Sequence, residues 1–172
     1  MRELVLELAN KLANRVIPSV FLTCSLAAPV AQAAPQGGAV VAGQGHISDS
    51  ANITTINQYS GSMVIDWSSF NVSASETVNF NQPSSSAAAL NRINDQNPSQ
   101  IFGAINANGR IFLSSPTSMI FGETASVNVG SLFATGMSIS NDDFMAGNYR
   151  FTSNGYTPGD IINHGTLLAA TG

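Results

Sequence analysis

Ala125-Ser126-Val127-Asn128-Val129-Gly130 and Ile161-Ile162-Asn163-His164-Gly165-Thr166-Leu167-Leu168 decide the reading of this chain. Both are short β-prone runs in which apolar side chains recur and an Asn or Gly stands where the run ends. Successive side chains of a strand point to opposite faces, so such a run buries one stripe and leaves the other in water. Asn and Gly tolerate the left-handed backbone of a tight corner. A run that buries a stripe and then turns suits one side of a coil in a stacked solenoid.

Runs of the same kind continue outward in both directions. Candidate strands fall at residues 39–42, 51–56, 63–66, 77–81, 88–93, 100–105, 110–113, 118–121, 125–129, 137–139, 149–152, 160–162 and 166–168. Gly, Asn, Ser and Asp separate them, and no stretch holds a 3.6-residue apolar period for three turns. Strands this short favour coils that turn a corner every few residues over a closed barrel or a sandwich. The predicted fold class is therefore all-β, a right-handed parallel β-helix with an N-terminal cap. Residues 66–94, irregular and rich in aromatics, are the candidate for that cap or for an insertion. Ala170-Thr171-Gly172 falls within what reads as a regular coil, which implies a bare C-terminal edge or a longer parent chain.

The first 33 residues differ from all that follow. Arg2, Lys11 and Arg15 outnumber Glu3 and Glu7, residues 16–30 are mainly apolar, and Ala31-Gln32-Ala33 offers the small-x-small pattern of a signal-peptidase site. The apolar run is about 15 residues and holds Pro18 and Pro29, short of the ~20 that a spanning helix needs. A cleaved secretory leader over residues 1–33 is predicted, with the mature part at 34–172. Phe21-Leu22-Thr23 before Cys24 makes a poor lipobox. Beyond the leader no cysteine remains, so this part must hold itself together by strand pairing and burial, without disulfides.

Charged residues make up only 9% of the chain and the net charge is −4. After residue 33, Arg92, Arg110 and Arg150 are the only cations against eight carboxylates. The basic stripe that neutralises nucleic-acid phosphates is missing, and nucleic acid is excluded as a partner. His46 and His164 lie far apart in sequence, and no His-x-x-x-His or Cys-x-x-Cys spacing points to a metal. There is no nucleophile elbow, phosphate loop or dinucleotide fingerprint either. The expectation is a protein without cofactor or catalytic residues. Asp142 and Asp143 read as the start of a turn or the cap of a short helix at Phe144, ahead of an acid/base pair or calcium ligands.

Residues 63–93 read Met-Val-Ile-Asp-Trp-Ser-Ser-Phe-Asn-Val-Ser-Ala-Ser-Glu-Thr-Val-Asn-Phe-Asn-Gln-Pro-Ser-Ser-Ser-Ala-Ala-Ala-Leu-Asn-Arg-Ile. This stretch closely resembles the two-partner secretion domain that begins filamentous-haemagglutinin-like exoproteins, above all the high-molecular-weight adhesin branch. The likeness runs on through Asn97-Pro98-Ser99-Gln100-Ile101-Phe102-Gly103, Ala107-Asn108-Gly109-Arg110-Ile111-Phe112-Leu113 and residues 139–144, and spans roughly residues 37–170. Its signature positions here are Asp66, Trp67, Phe70, Asn71, Asn79, Phe80, Asn81, Gln82, Pro83 and Asn91. The resemblance implies an adhesin-type exoprotein that crosses the inner membrane through the Sec machinery. In the periplasm an outer-membrane β-barrel transporter recognises it and exports it unfolded, to be secreted or held at the cell surface. Contact with a host-cell surface or glycan falls, on this reading, to a longer parent chain.

Beside the resemblance, the residues keep a plain physical reading. Trp67, Phe70 and Phe80 are expected to pack in a core or cap. Asn79, Asn81, Asn91 and Asn128 are expected to bond along ladders or at turns. The rivals from other classes are a β-helix polysaccharide lyase or hydrolase, which needs a groove of clustered carboxylates, and an autotransporter passenger, which carries its own barrel. Asn52-Ile53-Thr54 and Asn71-Val72-Ser73 are sequons, a pattern common by chance.

One turn departs from the family's pattern. Where the family carries Asn-Pro-Asn-Gly-Ile, this chain has Ser115, Pro116, Thr117, Ser118 and Met119, a degenerate form of the secretion motif that the resemblance implies. Pro116 still restricts the turn. If Gly at the fourth position serves a positive φ, Ser118 in the same backbone costs about 1 kcal/mol.

Overall fold

The computed structural model describes residues 34–170. The predicted leader and its cleavage point after Ala33 lie outside the described residues on the N-terminal side. In chain order the strands are β1 (Ala39–Ala42), β2 (Gly45–Ser50), β3 (Ile53–Gln58), β4 (Ser62–Trp67), β5 (Thr77–Asn81), β6 (Ala88–Ile93) and β7 (Ser99–Ile101). There follow β8 (Ala104–Ala107), β9 (Arg110–Ser114), β10 (Met119–Phe121), β11 (Ser126–Val129), β12 (Ser131–Thr135), the helix α1 (Asn141–Met145), β13 (Ile161–Asn163) and β14 (Thr166–Ala169).

These strands form a parallel β-helix of about three turns. One sheet stacks β3, β5, β8, β11 and β14, a second stacks β4, β6, β9 and β12, and a third stacks β7, β10 and β13, all in parallel. Register is set by burial. Thr54, Val78, Ile105 and Val127 pair in one inward row, and Met63, Ala89 and Ile111 in another. All of these are buried, and a slip of one residue would turn each row to water.

The cap is not where the sequence placed it. Residues 66–94 supply regular coil: β5 pairs in parallel with both β3 and β8, and β6 with both β4 and β9. Their aromatics, Trp67, Phe70 and Phe80, lie inside the helix and are at most 2% exposed. The first open edge is covered instead by two antiparallel strands, β1 on β4 and β2 on β3. β2 went unrecognised because its Gly45-His46-Ile47-Ser48-Asp49-Ser50 has one apolar side chain. Only one face of a capping strand meets the core. The turn between β2 and β3 puts Ala51 at φ 48°, which is why the run predicted at 51–56 begins at Ile53 instead.

Four other runs differ from expectation. Residues 100–105 break into β7 and β8 at a corner where any side chain on Gly103 would strike the carbonyls of Ser73 and Glu76. β12 was missed, since its Ser131-Leu132-Phe133-Ala134-Thr135 reads without clear alternation; backbone pairing along β9 holds it. Residues 137–139 and 149–152 form a single antiparallel bridge, Ser138 to Thr152, and no strands.

That bridge belongs to an insertion, residues 136–160, between β12 and β13. Ser140 caps α1: its Oγ accepts from the Asp143 amide at 3.1 Å and donates to the Asp143 carboxylate at 2.8 Å. The predicted helix is thus present, with Ser140 and not an aspartate as its N-cap. Phe144 is fully buried with Val64, Leu90 and Phe112, so the insertion roofs side chains that face outward from the second sheet.

Candidate functional site

The signature residues fall into two groups. At the first, the Trp67 indole donates to Asn91 Oδ1 at 3.0 Å, and Asn91 Nδ2 donates to the Phe112 carbonyl at 3.3 Å. Phe70 meets Trp67 edge-on, with ring centroids 5.4 Å apart. The Asp66 carboxylate accepts from Arg92 Nε at 2.7 Å, and Arg92 also donates to Asn141 Oδ1 at 2.6 Å, which ties the insertion to the sheet. Asn71 Oδ1 accepts the Gln100 amide at 2.8 Å.

The second group runs from coil to coil along β3, β5 and β8 of the first sheet and the residues just beyond them. Asn106 donates to Asn79, Asn81 to Asn57 and Gln82 to Gln58, each across one coil at 2.9–3.0 Å. Asn108 brackets the Gln82 backbone, accepting from its amide and donating to its carbonyl. Pro83 is exposed just beyond. Asn79, Asn81, Gln82, Asn106 and Asn108 line a shallow trough of about 630 Å³ with Thr55 and Asn128. Both groups bond coil to coil, which is the ladder role expected of Asn79, Asn81 and Asn91; Asn128, of which the same was expected, lines the trough and makes no such bond among the described residues.

The turn at residues 115–119 joins β9 to β10 and stands apart from both groups in its bonding. Ser115 and Met119 are fully buried, whereas the Pro116 ring is exposed. Thr117 Oγ1 gives its proton to the Asn97 carbonyl at 3.0 Å, so in the 3.0 Å contact with Ser115 the Ser115 hydroxyl is the donor. The Ser115 amide donates to Thr135, and the Ser99 amide to the Ser118 carbonyl. On the other side the Gly159 amide donates to Pro116, the Met119 amide to Asp160, and the Asp160 amide to Ser118 Oγ at 3.1 Å.

None of residues 115–119 has a positive φ. The strain expected at Ser118 is therefore absent, because this backbone stays in regions open to any residue and the serine hydroxyl is used as an acceptor. Asn97, Ser99, Gly159 and Asp160 escaped the sequence reading as parts of the turn. Asn97-Pro98-Ser99 was visible as a motif, but nothing local links Pro158-Gly159-Asp160 to a turn so far upstream.

A family model described as the TPS secretion domain matches residues 31–172. The chain belongs to this family. Two curated relatives, both named heme/hemopexin-binding protein and both from Haemophilus influenzae, are 39% identical over 122 residues and 37% identical over 102. Those matches cover 70% and 59% of this chain but only 14% and 11% of the relatives. The crystal structure of the HMW1 secretion domain from Haemophilus influenzae is similar with a TM-score of 0.72 at 31% identity, covering 77% of this chain and 36% of that one. The parallel β-helix is thus a two-partner secretion domain.

Proposed function

We propose that residues 34–172 act as the export signal of a longer exoprotein, and that an outer-membrane β-barrel transporter reads the 115–119 turn before the domain folds. One observation carries this reading. In the folded domain Ser115 and Met119 are closed off and the turn is hydrogen-bonded on both sides, so a partner that needs these residues must meet them earlier. Low charge and the absence of cysteine from residues 34–172 suit a chain that passes a pore unfolded and folds without oxidation. The leader at residues 1–33 would supply Sec-dependent entry to the periplasm, with cleavage between Ala33 and Ala34. An intact Met1 on the periplasmic form, read by mass spectrometry, would contradict that step.

Pro116 is the position that keeps the family's residue in this turn, and its ring touches no core. Pro116→Ala should cost about 1 kcal/mol or less, by loosening the unfolded chain. Extracellular and periplasmic protein are compared in cells carrying a cognate transporter. Export falling severalfold at nearly unchanged melting temperature supports the reading; unchanged export removes the turn from what the transporter reads.

A further inference from the structure

The 115–119 turn is bonded from two directions that become available at different times. Towards the preceding coil its partners are Asn97 and Ser99, and the Thr117 to Asn97 bond spans 20 residues. Those contacts can form as soon as the turn itself is present. Towards the following coil its partners are Gly159 and Asp160, and the Asp160 to Ser118 bond spans 42 residues. The insertion stands between β12 and β13, and so places β13, the second of the two strands that pair with β10, that much further along the chain. Closing the longer loop costs more chain entropy before its bonds repay it, so the bond across 42 residues is expected to form after the bond across 20.

Gly159 is shaped for this contact. A side chain there would collide with the Ser118 amide nitrogen and the Thr117 carbonyl carbon, both rigid backbone. Its φ lies outside the left-handed region, so close approach, and not backbone freedom, explains the glycine. Its amide and the Asp160 peptide then take up the Pro116 carbonyl, the Met119 amide and the Ser118 hydroxyl.

We propose that the return segment at residues 158–162 is a lock: its docking ends the period in which the transporter can read the 115–119 turn, and the insertion sets how long that period lasts. This rests on the reading of the turn given above, and regulates it. Until residues 158–162 arrive, one side of the turn and the edge of β10 stay open, whatever has formed upstream. Once Gly159 and Asp160 seat, β13 covers β10 and the turn is closed.

The test dilutes the full-length chain from denaturant and adds the soluble periplasmic segment of a cognate two-partner transporter after increasing delays. For the unaltered chain the captured fraction should fall as the Met119 amide gains protection in pulsed hydrogen exchange. Gly159→Val, which cannot seat, should be captured at least tenfold more at delays where the unaltered chain is refractory. Asp160→Pro, which removes the amide donor to Ser118 Oγ together with the carboxylate and restricts the backbone at Gly159, should decay at an intermediate rate and guards against a valine variant that fails to fold. Ile105→Ala weakens the core in β8 without touching the lock, and its capture should decay like that of the unaltered chain. Prolonged capture of Ile105→Ala equal to that of Gly159→Val overturns the lock in favour of general instability. Decay of both lock variants at the unaltered rate overturns it too, while leaving the turn as the signal. No capture at zero delay strikes the underlying reading itself.

Discussion

The Trp67 indole and the Asn91 side chain, 3.0 Å apart and both sealed from solvent, join two coils, and Asn91 passes the connection on to the Phe112 carbonyl in a third. A buried donor left without its acceptor costs about 1–3 kcal/mol. Asn91→Leu orphans the indole N–H and one acceptor site at Phe112 together, so a loss of about 2–4 kcal/mol is expected. Urea unfolding followed by Trp67 fluorescence reads it directly, and a change under about 1 kcal/mol would mean that the ladder is replaceable by packing.

Phe144 is expected to hold the insertion in place. It is the fully buried residue of α1 and packs beside Phe112 with ring centroids 5.2 Å apart. Phe144→Ala should cost about 3–5 kcal/mol if the site cannot collapse. Hydrogen exchange should rise across residues 138–152 while β5 and β8 stay protected. Equal loss of protection in both regions would show that the roof and the solenoid unfold as one unit.

Arg92 should matter more than its ion partner. The Asp66 to Arg92 pair is partly exposed, with side chains 34% and 24% accessible, and Asp66→Ala is expected to cost about 1 kcal/mol or less, declining with salt. Arg92 also reaches Asn141 and so fastens α1 to the sheet. Arg92→Ala should therefore cost more and be less salt-sensitive. Thermal melts at low and high ionic strength separate the two.

Much of the solenoid could be read from the chain, because its cause is local. Short alternating runs with Asn and Gly at their ends give stacked coils, and strands at Thr77–Asn81 and Ala88–Ile93 were placed to the residue. What escaped was decided by distant partners. β2 is polar because it covers an edge, β12 has an indistinct pattern because the insertion and β9 share its support, and the aromatics at 67–80 read as a cap although they fill the first two coils. The turn's sequence was visible, but its partners at Gly159 and Asp160 were not, since no local pattern encodes a contact across a 42-residue gap.

Two glycines separate close approach from mere flexibility. A Cβ on Gly103 would strike the carbonyls of Ser73 and Glu76, which are backbone and cannot swing away, whereas one on Gly61 would meet nothing. Neither has a left-handed φ. Gly103→Ala is expected to cost about 1–3 kcal/mol through overpacking at the β7 to β8 corner. Gly61→Ala should lie within about 0.5 kcal/mol of the unaltered chain. Equal melting temperatures for the two variants would mean that the corner relaxes freely.

Ser118→Gly tests how the turn is built. Had the backbone required a positive φ at this position, glycine would relieve strain and raise stability by about 1 kcal/mol. Ser118 has no such φ, and its hydroxyl accepts the Asp160 amide at 3.1 Å. Glycine there enlarges the freedom of the unfolded chain, costing about 0.5–1 kcal/mol, and leaves the Asp160 amide without that acceptor. A lost hydrogen bond adds about 0.5–1.5 kcal/mol, and both changes have the same sign. The variant is thus expected to be less stable by about 1–2.5 kcal/mol in chemical denaturation. Ser118→Ala isolates the second contribution, since alanine keeps the backbone restricted while removing the acceptor. If Ser118→Gly proves more stable than the unaltered chain while Ser118→Ala does not, the turn adopts in solution the left-handed geometry that this backbone lacks.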